Sequence, residues 1–510
     1  MAQNLCARLA RIREQRRNPP NLPAPPNLPA PTASAKTTGA PERRFSGGPG
    51  SSPAAAALVP NPAQGSWTGA GYQVLRRTLT LPLRMPAMLP KTLPLLLPDL
   101  LRGRPCDKPG SGKSGVFGAE QFLFFDLETT GLSGGAGTAA FLAAFGRFVP
   151  GAFPKAGEFS GLEITQILLL DYPGENDFLE AVLSIINAPG STPLFLTTYN
   201  GKAFDSQILK TRCLMNGLAV PSLPQADLLY PARRFWKRIL PNCSQATIET
   251  MVLGLDRSGD TPGSMAPGIW FDFLRAGADF SGGPETAALL GICDHNVKDI
   301  FGLASLFRGF TEIAGAPPDA ADRFCGDEEN LALVWRRAAR RSVRGTLWDA
   351  EGIDPPPGKD LERTASLLLQ GAAEKYPRCC LCLAFDLRSG GRYEEARERL
   401  GLLRDWPDAG APEGRASGRE CTVPLRALAL RTLAVDAERQ LGRRELALAY
   451  IEEALALGAP ANSGGADGTK EDAGLPRGLR EDLERRRRRL TETSGPRNSG
   501  NSRNSRNSLR

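Results

Sequence analysis

The sequence predicts an α/β domain, a mixed sheet flanked by helices, followed by an all-α region of helical hairpins, with a disordered tail at each end. Three observations predict this. Apolar runs of strand length are interleaved with helical spacing between residues 116 and 312. From residue 326 the pattern becomes one of paired amphipathic helices. Proline, glycine and arginine crowd the two ends.

Within the α/β part, Phe122-Leu-Phe-Phe125 is a short apolar run that stops at Asp126, as a buried strand does. Ala139–Phe148 and Ile164–Leu170 read as two further strands joined by turns that contain Gly and Pro. Asp177–Ile186 sets Phe178, Leu179, Val182 and Ile185 on one side of a helix. Leu194–Tyr199 is a fourth strand and Phe204–Met215 a second helix. The order strand, strand, strand, helix, strand, helix describes a mixed sheet with helices on its faces.

The ends read differently. A short basic helix is expected over Leu5–Arg17, after which the hexapeptide Pro-Pro-Asn-Leu-Pro-Ala occurs twice, over 19–24 and 25–30. Such proline spacing favours an extended, solvated chain. Order is expected to begin near Phe117. Gly112-Lys113-Ser114 imitates the end of a phosphate-binding loop, but Asp107 stands where that loop needs glycine. At the other end, Arg486–Leu490 and the Asn-Ser-Arg repeats are expected to be disordered. The expected organisation is therefore 1–115 mostly disordered, 116–312 the α/β domain, 326–460 helical and 461–510 a basic low-complexity tail.

In the helical region, Tyr393-Glu-Glu-Ala396 and Arg444–Leu457 each open after a Gly-Arg pair, and Leu425–Leu441 is the antiparallel partner of the second. Paired helices with alanine at the contact resemble tetratricopeptide units, which bind protein partners. Arg404–Thr422 interrupts the period, so generic helical hairpins remain the alternative.

Composition narrows the function classes. The chain has 510 residues and a net charge of +8. Residues 116–312 hold 13 Lys/Arg against 20 Asp/Glu, so the flanks carry a net +15. Basic flanks on an acidic core suit a protein that touches nucleic acid, with arginine drift in the genome as the alternative. The ten cysteines argue neither for a zinc ribbon nor for a disulfide framework. Cys379, Cys380 and Cys382 lie in an apolar helical run without a partner histidine and read as buried thiols. A secretion signal is not evident, and the Leu-rich run 88–101 is cut by Pro90, Pro94 and Pro98. A cytoplasmic location is expected.

Three segments carry candidate chemistry. Asp126 and Glu128 are two apart at the end of a strand, so both carboxylates leave the sheet on the same side. Two acids ending a buried run are costly unless a cation lies between them, and a hard divalent ion with oxygen ligands suits that position. A solvated strand end is the alternative. Asp205 follows the turn Tyr199-Asn200-Gly201 and emerges in the first turn of a helix, where the helix dipole favours an acid in any case. His295, the single histidine, and Asp299 share a helix face.

Together these segments resemble a known family. Phe124-Phe-Asp-Leu-Glu-Thr-Thr-Gly-Leu132 looks like the first motif of the DEDD (DnaQ-like) exonuclease superfamily. Tyr-Asn-Gly-Lys-Ala-Phe-Asp205 is similar to its second motif, as seen in proofreading domains of family B polymerases, and His-Asn-x-x-Asp299 to its third. The pattern is most similar to the YprB-type ribonuclease H-like domain. Its features also occur at Gly134-Gly-x-Gly-Thr138, at Ala226-Asp-Leu-Leu229 with Arg233-Arg-x-Trp-Lys237, and at Asp260-Thr-Pro-Gly263. The resemblance covers residues 117–309. It implies a ribonuclease H-like fold and a two-metal-ion-dependent 3′→5′ exonuclease acting on the single-stranded 3′ ends of DNA or RNA. Asp126, Glu128, Asp205 and Asp299 would bind two Mg²⁺ or Mn²⁺, and His295 would orient or deprotonate the attacking water. One departure is plain. His295 stands four residues before Asp299, the spacing of the tyrosine-bearing members, whereas histidine-bearing members place it five before.

The resemblance also implies substrate contacts at Thr129, Thr130, Asn200 and Phe204. Arg233, Arg234, Lys237 and Arg238 enclose Phe235 and Trp236. That cluster either tracks a phosphate backbone with an aromatic stacked on a base, or is a solvated helix face with Trp236 in the core. Glu249 matches a recurring position without a chemical role. The alternative function is a catalytically silent nucleic-acid-binding module that acts as a scaffold through its helical repeats.

Overall fold

A computed structural model of the chain describes residues 65–102, 117–131, 137–150, 156–188, 195–220, 224–317, 323–324, 327–343, 358–407, 420–457 and 474–492. The expected helix at 5–17, the proline hexapeptides, Gly112–Ser114, Gly134-Gly135 and the Asn-Ser-Arg repeats lie outside these residues. The chain divides into two compact units between residues 326 and 327, each described by itself.

The first unit is built on one mixed sheet of seven strands. These are β1 (Thr68–Gly71), β2 (Val74–Pro86), β3 (Phe122–Thr129), β4 (Ala140–Val149), β5 (Glu158–Leu169), β6 (Phe195–Thr198) and β7 (Gln225–Asp227), in the order β1-β2-β5-β4-β3-β6-β7. β3, β4 and β5 pair antiparallel in sequence order. The chain then crosses to the far side of β3, where β6 and β7 run parallel to it. The crossover carries α1 (Glu175–Ile186), and α2 (Asp205–Met215) joins β6 to β7. The longer helices that follow are α3 (Leu229–Trp236), α4 (Ala266–Arg275) and α5 (Pro284–Gly315).

Strand periodicity divides β3 between two environments. Leu123, Phe125 and Leu127 join Phe178, Leu179 and Val182 of α1 and Ile208 and Leu209 of α2 in one apolar cluster. The alternate residues face α5, where Phe122 and Phe124 meet Phe307. Asp126 and Glu128 continue that second face. Parallel pairing brings the C-terminal ends of β3 and β6 to the same edge of the sheet, and the turn leading to Asp205 is therefore beside them.

Two expectations about the tails are corrected. Order does not start near Phe117, because β2 pairs with β5 from Val74 to Pro86. Along β2, Leu79, Leu81, Leu83 and Met85 are buried, while Thr80, Pro82, Arg84 and Pro86 are exposed. This is a period of two within a proline-rich stretch. The prolines are tolerated because β1 covers β2 only at Val74–Arg76, and among the described residues no strand pairs with the outer side of the Pro82–Pro86 half. Near the other end, α12 (Arg477–Glu492) is a formed helix, with Leu483 and Leu490, two turns apart, buried on one face.

The second unit is all helical: α6 (Glu328–Val343), α7 (Gly358–Ala373), α8 (Pro377–Ser389), α9 (Tyr393–Arg404), α10 (Val423–Arg439), α11 (Arg444–Ala456) and α12. Cys379, Cys380, Leu400, Leu403, Ala429 and Leu433 share one core. Ala427, Ala437, Ala447, Ile451, Ala454 and Leu483 share another. Cys379 and Cys380 are buried free thiols, as their apolar surroundings led one to expect. Among the described residues, no helix is long and apolar enough to cross a membrane.

Candidate active site

The carboxylates singled out in the sequence arrive from three elements. Asp126 and Glu128 come from the end of β3, Asp205 from the first turn of α2, and Asp299 from the middle of α5. Asp205 is placed by a second acid. The buried Asp227 of β7 accepts backbone N–H groups from Asn200 (2.8 Å), Lys202 (3.3 Å) and Leu229 (3.1 Å). It thereby holds the turn in which Asn200 adopts a left-handed φ of 66°. Sequence reasoning noted Asp227 within its motif but gave it no role.

The cluster is part-buried, and its members repel one another. Burial pushes the Asp126 carboxyl well above the usual range, and the charges of Asp205, Asp299 and Glu128 add to this. Glu128 rises to about 8, first through burial and then through Asp299, with His295 acting against it. Asp205 rises to about 7 through burial and Asp227. Among the described residues, no Lys or Arg forms an ion pair with Asp126, Glu128 or Asp205, whereas Asp299 has its own counter-charge, Arg257.

His295 is held from both sides. Its Nδ1 lies 2.8 Å from Asp260 Oδ2, and its Nε2 3.2 Å from Asp299 Oδ2. Glu128, His295 and Asp299 each bring one donor atom within 4.8 Å of the other two. Desolvation lowers the affinity of the ring for a proton, but Asp299, Glu128 and Asp260 outweigh it and raise the pKa to about 9. Lys298 Nζ, at 3.0 Å, steadies the other oxygen of Asp260. The Asp260–Gly263 segment lies against the ring so closely that a Cβ at Gly263 would stand 3.0 Å from His295 Nε2.

Arg257, absent from the sequence reading, bridges this side of the site. It reaches Asp299 at 2.6 Å, Asp260 at 2.7 Å and Glu249 at 2.9 Å. Glu249 thus has a definable function: it anchors Arg257 from a site that is 1% exposed. Burial raises its carboxyl to about 8, with Asp299 adding and Arg257 opposing. Arg257 lies in a turn without periodicity, between Gly254 and Asp260, and no sequence signal marked it.

The residues expected at the substrate are placed as follows. Thr129 Oγ1 donates to the Gly131 carbonyl at 2.9 Å, and Thr130 Oγ1 accepts the Ala139 N–H at 3.0 Å, so both hydroxyls shape the turn after β3. Asn200 is exposed. Phe204 is half-buried against the α1–α2 core. Trp236 is not available for base stacking. It is 1% exposed, packs on Phe310 and donates to the Phe324 carbonyl at 3.0 Å. Phe235 is equally buried, which leaves Arg233, Arg234 and Lys237 on a solvated face.

A sheet with β3–β5 antiparallel, β6 and β7 parallel, and carboxylates at the shared end of β3 and β6 defines a ribonuclease H-like domain. Accordingly, residues 123–310 match the family model of the RNase_H superfamily. The chain is also 35% identical over 194 residues to a protein of Bacillus subtilis (strain 168) named "Uncharacterized protein YprB". That stretch is 38% of this chain and 42% of the relative, so the chain spans less than half of the relative's length.

The donor set fits the divalent cations that ribonuclease H-like domains use. Asp126, Glu128 and Asp205 present hard oxygen donors, Glu128 and Asp205 buried and Asp126 half-buried, and among the described residues no guanidinium or ammonium pairs with them.

Proposed function

We propose that this domain is a metal-dependent 3′→5′ exonuclease that hydrolyses phosphodiester bonds of single-stranded nucleic acid. The observation that carries the reading is the convergence of Asp126, Glu128, Asp205 and Asp299 from three elements into one part-buried cluster. Burial, and after it mutual repulsion, raises the carboxyls of Asp126 and Glu128 there. Ionised, such a cluster is costly to the apo fold, and at neutral or higher pH bound positive charge relieves it. Two divalent cations held by these acids would supply Lewis-acid stabilisation of charge building on the scissile phosphate.

The chain's own groups divide the remaining work. Asp227 fixes the turn that delivers Asp205. Asp260 holds His295 Nδ1 and Asp299 holds Nε2, so the ring is protonated in the cation-free site, and Nε2 would take the proton of the attacking water only once bound cations offset these acids and lower its pKa. Thr129 and Thr130 at the end of β3 are the groups assigned to the terminal nucleotide, with Asn200 and Phe204 flanking the same end of the sheet. In the helical unit, α8 with α9 and α10 with α11 form pairs with Ala396 and Ala447 buried at the contacts. That arrangement supports a tetratricopeptide-like scaffold for a protein partner.

Degradation of 5′-labelled single-stranded DNA and RNA with Mn²⁺ or Mg²⁺ tests the catalytic reading. The expected result is a ladder that shortens from the 3′ end and is abolished by chelator and by Asp126→Ala. Cleavage that persists in Asp126→Ala would refute the assignment. Binding without cleavage would favour the silent scaffold module.

A further inference from the structure

Asp126 is joined to the N-terminal strand by a line of buried side chains. Arg77 Nε on β2 donates to Gln166 Oε1 on β5 at 2.6 Å. Gln166 Nε2 donates to the Cys293 carbonyl at 2.8 Å and to Asn296 Oδ1 on α5 at 2.9 Å. Asn296 Nδ2 then donates to Asp126 Oδ2 at 2.7 Å. Gln166 and Asn296 are fully buried and Arg77 is 5% exposed, so water does not substitute for a missing partner.

The line has a direction, set at its start by the Arg77 guanidinium together with the Cys293 carbonyl, which only accepts. A carboxamide can present either its oxygen or its nitrogen, but a guanidinium only donates. Facing Arg77, Gln166 must therefore show its oxygen, which turns its NH₂ towards Asn296. Asn296 must then accept with its own oxygen, which leaves its NH₂ for Asp126. With both amides reversed, an amide oxygen would stand against a carboxylate oxygen at hydrogen-bond distance.

We propose that Arg77 is a positioning residue for the cation site, fixing through Gln166 and Asn296 an N–H donor on the Asp126 carboxylate. The inference rests on the reading of Asp126 as a cation ligand. Its consequence is that a strand preceding the residues that match the RNase_H superfamily is wired into the site. A hydrogen-bonded carboxylate is held in one orientation and offers its remaining lone pairs to the ion, as second-layer partners do at metal centres. Arg77 is itself anchored by Asp294 Oδ1 at 3.0 Å and by the Trp67 ring at 4.9 Å.

The test uses the full chain, stripped with chelator and titrated with Mn²⁺ followed by electron paramagnetic resonance, with a thermal melt of each variant. Arg77→Met and Gln166→Met are each expected to weaken Mn²⁺ about 10-fold. The double variant should be no weaker than either, because both break one line. Arg77→Lys, which also only donates, is expected to restore wild-type affinity. If Arg77→Met does not fold, Gln166→Met, which leaves the Arg77–Asp294 pair in place, decides the matter. A folded variant of either kind that binds Mn²⁺ as the wild type does would overturn the proposal. So would additive losses in the double variant, or an Arg77→Lys as weak as Arg77→Met. A wild type that binds no Mn²⁺ is a different result, since it refutes the cation site itself.

Discussion

His295 stands one helical turn from Asp299, and the ring is aimed by Asp260 from outside the helix. The spacing that departs from the histidine-bearing pattern is thus accompanied by an external acid on Nδ1, which decides where Nε2 points. Replacing that acid by alanine is expected to lower turnover about 10–100-fold while leaving KM for the oligonucleotide unchanged. Steady-state kinetics of Asp260→Ala check this, and an unaltered kcat would remove Asp260 from the mechanism. Asp126 and Glu128 were legible in the sequence because a period of two puts both on one face wherever a strand ends. Arg257 was not legible, because its partners Glu249, Asp260 and Asp299 meet only in the folded chain.

Among the elements, α5 does most to assemble the site, since it carries His295, Asn296 and Asp299 on one side and Phe307 further along. Its approach to the Glu249 turn depends on Gly302. A Cβ there would lie 1.7 Å from Glu249 Oε1 and 2.8 Å from its Cγ, within a side chain already fixed by Arg257 and Gln245. Gly302→Ala is expected to destabilise the fold by about 1–3 kcal/mol through overpacking and displacement of Glu249. Urea denaturation measures it, and an unchanged midpoint would mean that the two elements separate freely. The strands β3 to β6 could be read from apolar runs, whereas β2 and α12 could not. The period of two in β2 is interrupted to the eye by Pro82 and Pro86, and the two buried leucines of α12 are hidden among arginines.

For the whole molecule, the buried acids make stability depend on pH in an unusual direction. Folding raises Glu128 to about 8, Asp205 to about 7, Glu249 to about 8 and His295 to about 9, each above its unfolded value. The folded state therefore binds these protons more tightly. The stability they confer is complete below the unfolded pKa values and is lost as pH rises through the folded ones. Asp256, Asp260 and Asp279 are shifted downward and titrate below this window. The chelator-treated protein is thus expected to melt at a lower temperature at pH 9 than at pH 6, with added Mn²⁺ recovering more at pH 9. Scanning calorimetry at both pH values checks this, and a melting temperature that rises with pH would contradict it.

As proposed, the carboxylates of β3, α2 and α5 form one cation site. Isothermal titration of the chelator-treated full chain with Mn²⁺ at pH 8 tests it most directly, comparing wild type with Asp126→Asn and Asp205→Asn. Saturable binding by the wild type is expected, and its loss in both variants, although the altered residues come from different elements. Wild-type affinity retained in either variant, or no saturable binding by the wild type, would contradict it.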